Sequence, residues 1–251
     1  MNAGGLAAEA LRRYWVFPVI LVAWWATVWV NDFNQIVMPY PQDVVVAIAR
    51  DWAAYVDALV PTVALALGGL AIGSLLGGLG AIAVWSSRLL SGLLTPMAMI
   101  LNSVPVVAMI PVLARVLGYG QGTVLAITAI VCVLPAFVFV GGRLSAPPAA
   151  LGDVFSALGA TTPTRLRHLL IPHAIPGFMV ALRVSAPTAI LAVLLAQYLM
   201  GAGGLGTMFA TSVTYSRSQE AWGVAVVATL ASMILFFTAR SVADRVTARV
   251  G

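Results

Sequence analysis

The chain has 251 residues, 61% of them hydrophobic and only 8% charged, with a mean hydropathy of +1.02. A soluble domain carries roughly 25% charged residues to face water, so this composition excludes one and makes lipid the main solvent. The net charge of +5 rests on thirteen Arg and no Lys, placed singly or in pairs at the ends of apolar runs. That spacing lacks the clustered basic face a nucleic-acid partner needs, and none is expected.

A bilayer core of about 30 Å is crossed by about 20 apolar residues in a helix. Six such runs are expected, at residues 14–30, 61–85, 89–115, 123–140, 178–200 and 222–239. The first follows Arg12-Arg13 and carries Trp15, Trp24, Trp25 and Trp29 with no small-residue cleavage site after it, so it reads as a retained anchor. With the N-terminus inside, nine Arg fall on the cytoplasmic margins and three (Arg50, Arg115, Arg217) outside, a positive-inside bias. Both termini are then cytoplasmic.

After the first run, Pro39-Tyr40-Pro41 precedes Val45, Ile48, Trp52, Tyr55, Val56 and Leu59 at helical spacing, with Asp43, Arg50, Asp51 and Asp57 on the wetter side. This predicts one amphipathic helix on the outer face of the membrane or against the bundle. In the second run Gly69, Gly73, Gly77 and Ala81 repeat every four residues, a row that lets two backbones approach closely. The third run is interrupted by Pro96, Pro105 and Pro111, with Asn102 and Ser103 before the middle proline. Broken helices at membrane depth are tolerated where they line a cavity, and in transporters they point to a substrate path. Asn102, Ser103, Pro105, Met109, Pro111 and, in the fifth run, the polar Gln197 are therefore the translocation-pathway candidates. The Gly-, Ser- and Thr-rich segment 201–220 reads as a loop. Its Gly201, Gly203 and Gly206 match a dinucleotide fingerprint in spacing alone, because they follow a membrane helix and not a strand.

No Asp or Glu lies in any of the six runs, and Arg183 is the main candidate for a charge at membrane depth. It is also placed to snorkel to the cytoplasmic interface. His168 and His173 have no H-E-x-x-H context, and Cys132 is the sole cysteine, which excludes an intrachain disulfide. Catalytic and metal sites are not expected, nor is a cofactor on this chain. Coupling to an ion gradient usually needs an intramembrane ionisable group, so energy is expected to enter through a partner. A secondary transporter or channel not driven by ATP is the alternative class.

The cytoplasmic segment 142–175 predicts two short helices joined by a bend. Pro147-Pro148 starts the first, Gly159 ends it, Thr162 caps the second with Pro163 behind it, and Pro172 stops that one. A capped helical knuckle between two spans suits docking to a soluble protein.

Within it, Ala157-Leu158-Gly159-Ala160 followed by Ile171-Pro172-His173-Ala174-Ile175-Pro176 resembles the EAA coupling loop of binding-protein-dependent ABC importer permeases. Pro105 and Pro111 with Gly118-Tyr119-Gly120, Gly204-Leu205-Gly206, and Met38-Pro39-Tyr40-Pro41 resemble further elements of that family, in the same order. The nearest branch is the nitrate/sulfonate/taurine group. Glu-Ala-Ala is replaced by Asp153, Val154 and Phe155, and Gln197 stands where many members have Glu.

The resemblance implies an all-α integral membrane bundle of about six transmembrane helices with the type I ABC importer permease fold, a single domain over residues 1–251. It implies ATPase coupling through Asp153, Ala157, Leu158, Gly159, Ala160, Thr161, Arg165 and Pro172. It further implies a second permease subunit, same or paralogous, ATPase subunits holding ATP and Mg, and a periplasmic or lipid-anchored solute-binding protein. The setting would be the lipid of a bacterial inner membrane, and the cargo a small solute, anionic or aromatic.

Overall fold

The computed structural model describes residues 15–250. Among these residues ten helices follow one another: α1 (Val16–Val30), α2 (Pro41–Arg50), α3 (Trp52–Ser86), α4 (Arg88–Ser103), α5 (Val106–Leu117), α6 (Gln121–Ser145), α7 (Ala149–Ala157), α8 (Thr162–Met200), α9 (Gly204–Thr214) and α10 (Ser218–Val250). Four of them, α3, α6, α8 and α10, are long and apolar enough to cross a membrane, and Pro18–Val30 and Val106–Leu117 are shorter apolar helices. The six expected runs are all present as apolar helix, but the first and third are not full-length spans.

The core is built on α3, α6 and α8. A Cβ at Gly69 would fall 2.5 Å from Thr128, at Gly73 2.2 Å from the Ala129 carbonyl, and at Gly77 2.1 Å from the Val133 carbonyl. Numbers rise together on both helices, so α3 and α6 run parallel. The glycine row is the surface on which they touch. Parallel neighbours need a return crossing between them, and α4 and α5 supply it. Helix α8 runs the other way, with Gly177 against Phe139 and Arg143 of α6.

Three apolar clusters stack along the bundle. Ala81, Val140, Leu144, Leu169 and Leu170 close the end at α7; Ile110, Ile127, Ile190 and Val193 fill the middle; Tyr55, Leu205 and Val224 close the far end. There the Tyr55 hydroxyl donates to the Glu220 carbonyl at 3.2 Å, tying α3 to α10. Helix α1 is peripheral and is held by Trp24, whose Nε1 donates to the Pro39 carbonyl at 3.1 Å and whose ring lies 5.0 Å from that of Trp222.

Four local expectations are corrected. The single amphipathic helix after the first run is two: α2 ends at Arg50, and Trp52, Tyr55, Val56 and Leu59 belong to the span α3. Of the three prolines expected to interrupt the third run only Pro105 does, splitting it into α4 and α5 because it offers no N–H and takes the extended N-cap conformation of α5 (ψ 122°), whereas Pro96 and Pro111 lie inside those helices. The segment 201–220 contains helix α9, since tertiary contacts satisfy its start. Pro172 does not stop a helix: Leu166–Leu170 forms a π turn, with the Ile171 N–H on the Leu166 carbonyl, and the helix continues through the proline.

Candidate functional site

Helix α7 begins after Pro148 and ends in a full left-handed cap. The Gly159 N–H bonds the Ser156 carbonyl at 3.1 Å and the Ala160 N–H reaches back to Phe155 at 3.0 Å, with Gly159 at φ +64°. The chain then turns through Thr161, which is the N-cap residue in place of the expected Thr162; its Oγ1 lies 2.9 Å from the Thr164 hydroxyl. Phe155 and Leu166 face inward onto the Leu144–Leu169–Leu170 cluster. The opposite face of α7 has no cover among the described residues: Leu151 is 48% exposed, Val154 52% and Leu158 76%. These positions, three and four apart, form one stripe. Asp153 and Ala157 are exposed beside it. Arg165 is half-buried, its guanidinium against Gly152, and its Nε has no hydrogen-bond partner among the described residues. Asp153 takes part in neither of the two ion pairs found among them.

The second candidate region surrounds the break between α4 and α5. Ser103 and Pro105 are exposed there, as is Pro111 further along α5, while the side chain of Asn102 lies outside the described residues. Behind the break is a cavity of about 430 Å³ between Met97 of α4, Met109 of α5, Val131, Pro135 and Phe137 of α6, and Thr188 of α8. Of the pathway candidates Met109 lines this cavity, and Val104 and Val106 flank Pro105 on its wall.

Gln197 lies elsewhere. It is 0% exposed at the far end of α8, and its Oε1 accepts the Gly206 N–H at 3.1 Å. Thr62 of α3 stands 2.9 Å from the same oxygen, and its hydroxyl oxygen accepts the Leu205 N–H at 3.0 Å. Those N–H groups belong to the first turn of α9, where a helix has no internal acceptors for them. Side chains from two spans therefore cap the helix that sequence reading took for a loop. Gly204 makes the approach possible: a Cβ there would fall 2.3 Å from Gln197 Nε2 and 2.6 Å from the Thr62 hydroxyl. Thr62 was not foreseen, because nothing near a threonine one residue after Pro61 signals an acceptor used 143 residues later.

Residues 69–251 match the family described as the binding-protein-dependent transport system inner membrane component. The chain belongs to that family. It is similar to a probable ABC transporter permease protein of Haemophilus influenzae, 22% identical over 91% of this chain and 93% of the relative. It is also similar to the formylaminopyrimidine transport permease protein of Halalkalibacterium halodurans, 23% identical over 79% of each. Among solved structures, the inward-facing MetNI methionine ABC transporter shares the fold at a TM-score of 0.66 and 20% identity, covering 76% of this chain and 95% of that one. An amino acid ABC transporter crystallised with histidines does so at 0.68 and 14%, over 80% and 97%. The protein is an ABC importer permease subunit with the type I fold.

In this permease one helix joins all three regions. α8 runs as continuous helix for 39 residues, with Pro172, Pro176 and Pro187 along it. It starts at Thr162 in the knuckle, passes Thr188 at the cavity and ends three residues beyond Gln197. Of the expected coupling residues, Asp153 to Thr161 sit on or beside α7, Arg165 in the first turn of α8 and Pro172 just past its π turn.

Proposed function

We propose that this permease and a second permease subunit, the same or paralogous, together form the translocation pathway of an ATP-driven importer in a bacterial inner membrane. Both termini and the knuckle are cytoplasmic, and α2, α9 and the Val104-Pro105 break open toward the outside or the membrane interior. ATPase subunits, which bind and hydrolyse the ATP with Mg, dock on Asp153, Ala157, Leu158, Gly159, Ala160, Thr161 and Arg165, with Pro172 at the base. An external solute-binding protein, periplasmic or lipid-anchored, presents a small organic solute, anionic or aromatic, and this chain binds no nucleotide. The positive-inside distribution of Arg supports the orientation.

The observation that carries the reading is the uncovered stripe Leu151–Val154–Leu158 at the head of α8. An apolar stripe facing water is unfavourable alone, and burying a Leu side chain contributes about 1.5–3 kcal/mol. A partner groove that takes Leu158 would hold the knuckle, and its motion would move α8 and with it the cavity. Leu158→Glu tests this: the permease is expected to insert and fold as before, since the residue touches no core, while the ATPase no longer co-purifies. Undiminished co-purification would remove Leu158 as the anchor.

A further inference from the structure

We propose that a groove at the knuckle end of the bundle holds an acyl chain of an anionic phospholipid, with the lipid phosphate on Arg167. The proposal rests on the cytoplasmic placement of the knuckle given above, and adds a lipid to the partners of that end. The groove, about 370 Å³, lies between α3 and α8, over the buried Val140 and Leu144 of α6. It extends from Leu75 to Ile82 on α3 and from Ile171 to Met179 on α8, about 10–12 Å at 1.5 Å per residue. Leu75, Leu79 and Ile171 are exposed along its open side. Its eleven lining residues are all apolar or glycine, so a water-soluble ligand would find no polar side chain in it.

Polarity changes at one end only. Ser86 follows Ile82 by one turn of α3, and Arg167 precedes Ile171 by four residues of α8; both are exposed. Four residues is close to one turn, whether α or π, so Arg167 stands on the groove's side of α8. It takes part in neither of the two ion pairs found among the described residues. A dry slot that ends at an unmatched cation fits an amphiphile with an anionic head. The cytoplasmic leaflet presents anionic lipid at that level, and each Arg near its surface contributes about 1 kcal/mol to the attraction. A neutral lipid would fill the slot equally well and gain less at Arg167. Ile82, Val140, Leu144, Ala174 and Phe178 line the groove and also belong to the cluster on which the knuckle packs. A chain seated there therefore braces the end of the bundle that receives the ATPase.

The test uses the permease purified with its ATPase subunits and returned to lipid discs of phosphatidylcholine. The discs carry a trace of phosphatidylglycerol with a photoreactive diazirine near the end of one acyl chain. Irradiation and peptide mapping are expected to place cross-links within residues 75–82 and 171–179. Unlabelled phosphatidylglycerol should halve this labelling at a mole fraction roughly fivefold lower than phosphatidylethanolamine, which has no net charge. Arg167→Gln, at an exposed position, should keep the cross-links and bring that ratio to about one. Cross-links confined to other segments would mean that the second subunit covers the groove, and overturn the proposal. So would equal competition by the two lipids in the parent, or a ratio that Arg167→Gln leaves unchanged. Suppression by water-soluble glycerophosphoglycerol would also overturn it, by showing a phosphate site that needs no chain. Failure of the importer reading would show separately, as ATP hydrolysis indifferent to loaded binding protein with the cross-links unchanged. An inverted orientation would show as external labelling of a cysteine at Arg165, again with the cross-links unchanged.

Discussion

Replacing Gly159 separates docking from folding, because the structure gives the two effects different size orders. At φ +64° an L side chain costs roughly 1 kcal/mol or more, and Asn, which tolerates this conformation, costs less. A Cβ at Gly159 would meet nothing within 4 Å, so no clash adds to that strain. Ala, Asn and Asp should therefore all leave the permease inserted, with a melting temperature lowered by about 2–4 °C per kcal/mol of strain. The added atoms point away from the chain, into the space a docked ATPase would fill. If docking is the issue, uptake should fall in order of bulk, with Asn and Asp worse than Ala. If backbone strain is the issue, Ala should be worse than Asn. The assay purifies each variant with its ATPase and measures complex yield, hydrolysis stimulated by loaded binding protein, and uptake into vesicles. Parent values for all three variants would reduce the knuckle to a connector and refute this account of how energy enters.

Gly73→Val should lower thermal stability by about 2 kcal/mol or more, since its Cβ would lie 2.2 Å from the Ala129 carbonyl; an unchanged melting temperature would mean α3 and α6 are not held in this register. Gln197→Ala should cost about 1–3 kcal/mol by leaving the buried Gly206 N–H unpaired, and the double variant with Thr62→Ala should fall short of the sum of the two. Strict additivity would show that the two side chains do not share the cap of α9. In intact cells, cysteine at Asp51 should react with an impermeant maleimide and cysteine at Arg165 should not; the reverse pattern would invert the orientation. Ser103→Trp should cut uptake with assembly intact if the α4–α5 break lies beside the path, and undiminished uptake would place the path elsewhere.

The expectations that hold rest on chemistry within a turn or two of chain. Apolar runs locate helices because lipid leaves every backbone group to be paired inside its own segment. The four-residue glycine row marks a contact face because small residues at that spacing fall on one side of a helix. Gly159 is legible as a helix end because one residue must take a left-handed conformation there. Pro105 shows where the third run breaks, although not that the break backs onto a cavity, since seven of the residues lining it come from α6 and α8, 25 or more positions away.

The misses turn on partners that the local pattern does not reveal. Gly204–Thr214 looks like a loop when Gly, Ser and Thr are counted; it is a helix because Thr62 and Gln197 supply acceptors to its first turn. Pro172 looks like a stop, and continues as helix because Leu169 and Leu170, packed on Ala81, Val140 and Leu144, hold the preceding turn in its wider π form. Gln197, polar in an apolar span, reads as a path residue; folding turns it inward as a cap. Local pattern thus settles which segments are helical and apolar, because those energies are summed over neighbours in the chain. Which polar groups meet depends on backbones brought together by packing, as Thr62 meets Leu205 from 143 residues away, and only the packed bundle decides it.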